Sequence, residues 1–111
     1  MADEASVREL MRRMAEQDKR IDILVNNAGI FPMRTLRELD AATWDRTLGV
    51  NLRGAYLCTR FAAELMISGG AGGRIINIST INTAKTYVGM AHYDASKGGL
   101  NEGRLRMARV P

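Results

Sequence analysis

The sequence has little of what several classes of protein need. Only one of its 111 residues is cysteine and only one is histidine, Cys58 and His92. It therefore forms neither an internal disulfide nor a metal site built from clustered cysteines and histidines. It has no run approaching the roughly 20 apolar residues that span a bilayer, and its start lacks the basic flank and apolar run of a signal peptide. We expect a cytoplasmic protein without a membrane partner or a bound metal.

The charge pattern argues against nucleic-acid binding. The chain has 16 basic and 12 acidic residues and a formal net charge of +4, but the basic residues are scattered among acids and form no stripe. A solvated surface of mixed charge explains the same counts. With 46% hydrophobic residues, the composition is that of a globular protein with at most one domain.

Hydrophobic spacing predicts three helices separated by two strands. Apolar residues recur three and four positions apart in segments at about 4–18, about 41–66 and from about Tyr93 onward, which predicts helices there. Two short apolar runs, at 21–25 and 74–79, predict strands that are buried on both faces. This alternation is typical of an α/β fold in which right-handed crossovers join parallel strands.

Capping residues mark the starts of the first two helices. Ser6, with Glu9 three residues later, has the form of a capping box. Asp40 is expected to cap the long helix, and Gly49 and Gly54 are expected to weaken that helix locally.

Two strands are too few for a stable parallel sheet. Such a sheet needs neighbouring strands at both edges and helices on both faces, so a two-stranded piece exposes unpaired edges and apolar side chains. The sequence therefore predicts part of a larger domain, or a chain that borrows strands from a partner.

Most polar residues of chemical interest lie at or just beyond the predicted strand ends. Residues 26–29 follow the first strand, 77–80 end the second, and 93–97 open the final helix, whereas Asn51 lies within the long helix. Ligands of open α/β sheets bind in the crevice at the carboxyl ends of the strands. We expect these segments to form a ligand site there.

Tyr93 and Lys97 are the main candidates for catalysis. They are four residues apart, so on a helix their side chains stand one turn from each other and can meet the same ligand. A free tyrosine titrates at about pH 10, and a nearby ammonium favours the phenolate, which suits acid–base work closer to neutral pH. The spacing by itself also occurs by chance on many solvated helices.

Four segments together resemble the short-chain dehydrogenase/reductase family in their order and approximate spacing. They are Asn-Asn-Ala-Gly at 26–29, Val-Asn-Leu-Arg-Gly at 50–54, Asn-Ile-Ser-Thr at 77–80 and Tyr-Asp-Ala-Ser-Lys at 93–97. The resemblance covers about residues 3–109. It implies an α/β fold, an incomplete doubly wound parallel sheet of the Rossmann type, in an oxidoreductase that uses NAD or NADP on an alcohol or carbonyl substrate.

The resemblance also implies roles for individual residues. Tyr93 would exchange a proton with the substrate oxygen, while Lys97 would bind the nicotinamide ribose and favour the ionised tyrosine. Asn51 would help to hold a water that relays protons to the lysine; without the resemblance it is interpreted as a polar residue that satisfies a local backbone group. The segment that would steady the sheet and line the adenosine part of the cofactor site consists of Asn27, Ala28 and Gly29.

The third catalytic residue departs from the family's pattern. Counting back thirteen positions from Tyr93, where the family has a serine, lands on Thr80, with Ser79 directly before it. A threonine hydroxyl can still donate a hydrogen bond to a substrate oxygen, although its methyl group restricts its rotamers. We favour Thr80; Ser79 would take the role if the loop were one residue shorter. His92 is expected to line the rim of the site or to be solvated.

Two hallmark regions of the family have no counterpart in the sequence. There is no glycine-rich turn between a first strand and a first helix, and the later strands are missing as well. We therefore expect residues 1–111 to be a segment of a single NAD(P)-binding domain, without its N-terminal βαβ unit and C-terminal strands.

Two functional hypotheses remain open. The first is an oxidoreductase of this family, acting on a 3-oxoacyl thioester, a sugar or a steroid, and forming a homo-oligomer through the 41–66 helix and the final helix. The second is a non-catalytic remnant that serves only as an interaction or oligomerisation module. An in-frame glycine-rich βαβ unit upstream would favour the first.

Overall fold

The computed structural model describes residues 3–18, 20–80 and 88–107, without the side chains of 104–107. It confirms the predicted alternation of helices and parallel strands. The end of the predicted final helix at Pro111 lies outside the described residues. The elements, in chain order, are α1 (Glu4–Gln17), β1 (Ile23–Asn26), α2 (Ala41–Leu48), a π-helical turn (Gly49–Arg53), α3 (Gly54–Ser68), β2 (Arg74–Asn77) and α4 (Ala91–Met107).

The two strands pair in parallel, with Asn26 opposite Asn77 at their carboxyl ends. The prediction that they are buried on both faces is wrong for this chain. Ile23 and Val25 are 61% and 50% exposed, and Ile76 is 48% exposed. The sheet has only two strands in the described part of the chain, so both of its edges are open and its apolar side chains remain in water, as expected for such a piece.

The helix predicted over 41–66 forms as α2, the π-helical turn and α3. Asp40 caps α2 as predicted, because its carboxylate accepts the backbone N–H of Thr43 at 2.7 Å. The π-helical turn begins at Gly49 and is followed directly by Gly54, the two glycines expected to weaken the helix. Turns of this wider kind often lie at functional sites, and Asn51 lies inside this one.

The N-terminal cap of α1 differs from the predicted capping box. Asp3 has an extended backbone and accepts the N–H groups of Ala5 and Ser6, each at 3.3 Å. Ser6 already lies in the first turn of the helix and donates its hydroxyl to Asp3 at 2.7 Å. Asp3 takes the capping position because an N-cap residue requires non-helical backbone angles.

The hydrophobic core lies where α1 packs against α3. Val7 of α1 is 1% exposed and Leu57 of α3 is 2% exposed, and Leu24 of β1 packs against the same cluster. On the other side of the molecule, α4 packs against α2 and the π-helical turn. These contacts bring the carboxyl ends of both strands next to the start of α4. None of the described helices is both long and apolar enough to cross a membrane.

Candidate active site

Asn51 connects the loop after β1 to α4. Its side chain is almost fully buried. Its Oδ1 accepts the N–H of Ile30 at 2.8 Å, and its Nδ2 donates to the Ile30 carbonyl at 2.8 Å and to Ser96 Oγ at 3.1 Å. Ser96 Oγ in turn donates to the carbonyl of Tyr93 at 2.7 Å. The backbone group that Asn51 satisfies is therefore distant in sequence, and the contacts continue to the candidate tyrosine.

Lys97 is a buried ammonium, only 4% exposed. Its Nζ donates to the carbonyl of Ile78 at 3.0 Å and lies 6.0 Å from the centre of the Tyr93 ring. Burial lowers the pKa of the Lys97 ammonium below its usual value of 10.5, because the charged form loses water. Lys97 thus links the end of β2 to α4 and brings a positive charge beside Tyr93, as the spacing predicts.

Gly29 leaves space beside this ammonium. A Cβ at position 29 would lie 3.5 Å from Lys97 Nζ and 3.6 Å from Asn51 Oδ1. Any larger side chain would extend into the region around both groups. Glycine at this position therefore keeps the loop free of a side chain next to both groups.

Asn27 and Ala28 belong to a different part of the molecule's surface. They line a cavity of about 40 Å³ between β1 and the start of α3, together with Val50 and Cys58. Cys58 is buried, and desolvation raises the pKa of its thiol. Neither Tyr93 nor Lys97 lines this cavity, so the structure brings Gly29, but not its two neighbours, to the tyrosine and lysine.

Asn26 steadies the sheet, a role that the sequence analysis gave to the three residues after it. Its Nδ2 donates to Asn77 Oδ1 at 2.8 Å and to Thr59 Oγ1 at 3.0 Å. These bonds join β1 to β2 and to α3. A partial indication of this pair was present in the sequence, since Asn26 directly follows the first predicted strand and Asn77 lies near the end of the second.

Ser79 and Thr80 follow β2 after one intervening residue, Ile78. The Ser79 hydroxyl is buried and has no hydrogen-bond partner within the described part of the chain, whereas Thr80 is half-buried. Both lie within two residues of Ile78, whose carbonyl accepts the Lys97 ammonium. Either hydroxyl therefore belongs to the neighbourhood of the ammonium, and the preference for Thr80 stays a prediction.

His92 is fully buried, so the expectation that it is solvated or lines a rim is wrong. Its Nε2 makes a short contact with the carbonyl oxygen of Pro32. The histidine lies in the first turn of α4 and faces the loop after β1, which covers it. It fastens that loop to the helix that carries Tyr93 and Lys97.

The arrangement places an ammonium beside a phenol, a pair that could exchange a proton and donate to a polar ligand. An ammonium carries three donors, and Ile78 takes one of them, which leaves donors for the hydroxyls of a ribose. Gly29 lies beside this ammonium, and Ser79 follows Ile78 directly in the sequence; within the described part of the chain its buried hydroxyl has no hydrogen-bond partner. These residues fit the ribose end of a nicotinamide dinucleotide.

Comparison with known proteins agrees with this geometry. The family model described as short chain dehydrogenase matches residues 1–109. The chain is 41% identical over 100 residues to an uncharacterised oxidoreductase of Thermotoga maritima. It is 40% identical over 101 residues to a cis-4-hydroxycyclohexanecarboxylate dehydrogenase of Sinomonas cyclohexanicum. Both alignments cover 90% of this chain, but 39% and 40% of the respective relatives.

A solved structure gives the same result. A protein of Agrobacterium tumefaciens, provisionally assigned as a gluconate dehydrogenase, superposes with a TM-score of 0.90 at 36% identity. The match covers 96% of this chain and 42% of that one. The chain thus spans about two fifths of the length of the relatives that it matches.

Proposed function

Since this chain belongs to the short-chain dehydrogenase family, we propose that it carries the acid–base part of an oxidoreductase site that acts on an alcohol or carbonyl with NAD or NADP. The observation that carries the proposal is the buried Lys97 ammonium beside the Tyr93 ring. A nicotinamide dinucleotide, when bound, supplies or accepts the hydride.

Tyr93 exchanges the proton. In the reductive direction its hydroxyl donates a proton to the carbonyl oxygen, and in the oxidative direction the phenolate accepts the proton of the alcohol. Lys97 stabilises the phenolate by its charge, which is weakly screened because the ammonium is only 4% exposed. The same ammonium, which donates to the Ile78 carbonyl, would also donate to the ribose hydroxyls of the bound dinucleotide.

Asn51 and a hydroxyl after β2 support this pair. Asn51 fixes Ile30 and Ser96, and through Ser96 it holds the backbone of Tyr93. The Thr80 hydroxyl donates to the substrate oxygen in this proposal, and Ser79 is the alternative. A proton relay through a water at Asn51 stays a prediction.

The substrate class that we propose is a secondary alcohol or the corresponding ketone. The named relative from Sinomonas cyclohexanicum acts on a hydroxycyclohexane carboxylate, which is such an alcohol, and a 3-oxoacyl thioester, a sugar or a steroid belongs to the same class. We also propose that the chain forms part of a larger Rossmann-type domain, since apolar residues of both strands are exposed, and that it assembles as a homo-oligomer.

Nicotinamide absorbance during turnover of a secondary alcohol or ketone tests the proposal. We expect Tyr93→Phe to lower kcat/KM by at least about 100-fold, because the general acid is lost. Tyr56→Phe is the matched control, since Tyr56 lies on α3 and is 45% exposed, and it should leave the rate unchanged. Equal rates in the wild type and Tyr93→Phe would contradict the assignment and favour the interaction-module hypothesis.

A further inference from the structure

Phe31 is an exposed aromatic ring beside Tyr93. The two ring centres are 6.0 Å apart, and the ring planes meet at 70°, an edge-to-face arrangement. Phe31 is 65% exposed, so most of its apolar surface faces water next to the phenol. Contact with another apolar group would remove this surface from water and would be favourable.

The backbone on both sides of Phe31 is fixed. Ile30 is bonded through both its N–H and its carbonyl to the buried side chain of Asn51. The carbonyl of Pro32 is in contact with Nε2 of the fully buried His92. The backbone that carries the exposed ring is therefore held against α4 by two buried polar side chains.

Further apolar side chains lie along the same loop. The N–H of Arg34 donates to the carbonyl of Gly89 at 3.0 Å, and Gly89 has a φ of 84°, which favours glycine. This bond brings together the segments that carry Met33 and Val88, which are 64% and 84% exposed. The guanidinium of Arg34, one of the charged groups of the loop, donates to the Met33 carbonyl at 2.7 Å.

We propose that Phe31 is a specificity-determining residue that forms an apolar wall of the substrate site. The inference rests on the proposed function, because the substrate oxygen must come within hydrogen-bond distance of the Tyr93 hydroxyl. A substituent on the reacting carbon then lies near the Phe31 ring. A hydrocarbon substituent covers the ring, whereas a hydroxylated or charged one loses water there without gaining a partner. The site therefore selects ketones and secondary alcohols with hydrocarbon substituents at the reacting carbon.

The first readout is the ratio of kcat/KM for cyclohexanone to that for dihydroxyacetone with NADH or NADPH. In this reaction the ketone carbon takes a hydride from the reduced cofactor and the oxygen takes a proton from Tyr93, which gives the alcohol and the oxidised cofactor. We expect the wild type to prefer cyclohexanone, and Phe31→Ala to lower the ratio about tenfold. Phe31→Leu stays apolar and should keep the ratio within about threefold of wild type. Ile67→Ala is the control. Ile67 is 74% exposed near the C-terminal end of α3, and its replacement should not change the ratio.

The second readout needs no turnover. The chain has two phenylalanines and three tyrosines, so the aromatic proton NMR signals of Phe31 can be assigned by comparison with Phe31→Leu. Saturable shifts of these signals on addition of cyclohexanone, absent with dihydroxyacetone, would support the apolar wall.

The two readouts separate this inference from the proposed function. Binding at Phe31 without turnover would support the wall and contradict the proposed oxidoreductase activity of this chain. Turnover that depends on Tyr93 but has the same substrate ratio in Phe31→Ala would overturn the wall and leave the proposed function standing. Absence of both binding and turnover would overturn both.

Discussion

At the residue scale, Asn51 links three parts of the site through one buried amide. Its removal leaves the N–H and carbonyl of the half-buried Ile30 without their partner, and an unsatisfied polar group costs about 1–3 kcal/mol where it is buried. We expect Asn51→Ala to lower the free energy of unfolding by about 3 kcal/mol. Asn27→Ala, at an exposed position, should change it by less than about 0.5 kcal/mol. Urea denaturation of the two variants measures both; equal stabilities would contradict the role of Asn51.

Lys97 makes stability depend on pH in a defined direction. Burial lowers its pKa from 10.5 in the folded state, so between the folded value and 10.5 the unfolded chain binds more protons. Stability due to Lys97 therefore rises with pH across that window, and the desolvation penalty is fully present below it. We expect the free energy of unfolding of the wild type to rise with pH relative to Lys97→Met as pH approaches 10.5. A flat difference, or an NMR titration midpoint for Lys97 at or above 10.5, would contradict this.

The residues of the site differ in how far the sequence predicts them. Tyr93, Lys97 and Gly29 come together as their motifs indicate, because their spacing fixes their positions on a helix and after a strand. The contacts of Phe31 with Tyr93 and of His92 with Pro32 could not be predicted. Their contacts depend on how the loop after β1 folds back on α4, and no local pattern encodes that path.

At the element scale, two adjacent glycines of α4 face different surroundings. A Cβ at Gly98 would meet nothing within 4 Å, whereas a Cβ at Gly99 would lie 2.9 Å from Leu52 of the π-helical turn. Replacing a helical glycine by alanine stabilises a helix by about 1 kcal/mol. We expect Gly98→Ala to gain about this amount and Gly99→Ala to fall short of it by about 1 kcal/mol, because Leu52 must move. Thermal unfolding of the pair measures the difference, and equal gains would show that α4 does not pack closely on the turn.

Helices and strands are predicted well where local sequence patterns determine them. They are predicted less well where packing between elements determines their geometry. The Asp40 cap follows from residue type and position. The cap of α1 is Asp3 instead of Ser6 because backbone angles, which sequence spacing does not give, select the capping residue. The π-helical turn was visible only as two weakening glycines, since its wider geometry depends on the buried bonds of Asn51.

At the scale of the whole molecule, the two strands are apolar in sequence but are not buried as such sequences usually are. The strand sequences are those of a sheet covered on both sides, yet Ile23 and Ile76 are largely exposed. The sequence predicts the fold class and the parallel pairing because these depend on local patterns. The coverage of the sheet depends on elements beyond the two described strands, so the predicted burial of those strands was wrong.

The central claim is that Lys97 and its surroundings form the ribose end of a nicotinamide site. A fluorescence titration of the 111-residue chain with NADH and with NADPH tests it most directly. Lys97→Ala is the test variant, and Arg13→Ala is the control, since the Arg13 side chain is 72% exposed on α1. We expect saturable binding of at least one cofactor in the wild type and in Arg13→Ala, and its loss in Lys97→Ala. Binding that is equally strong in Lys97→Ala, or no binding in the wild type, would contradict it.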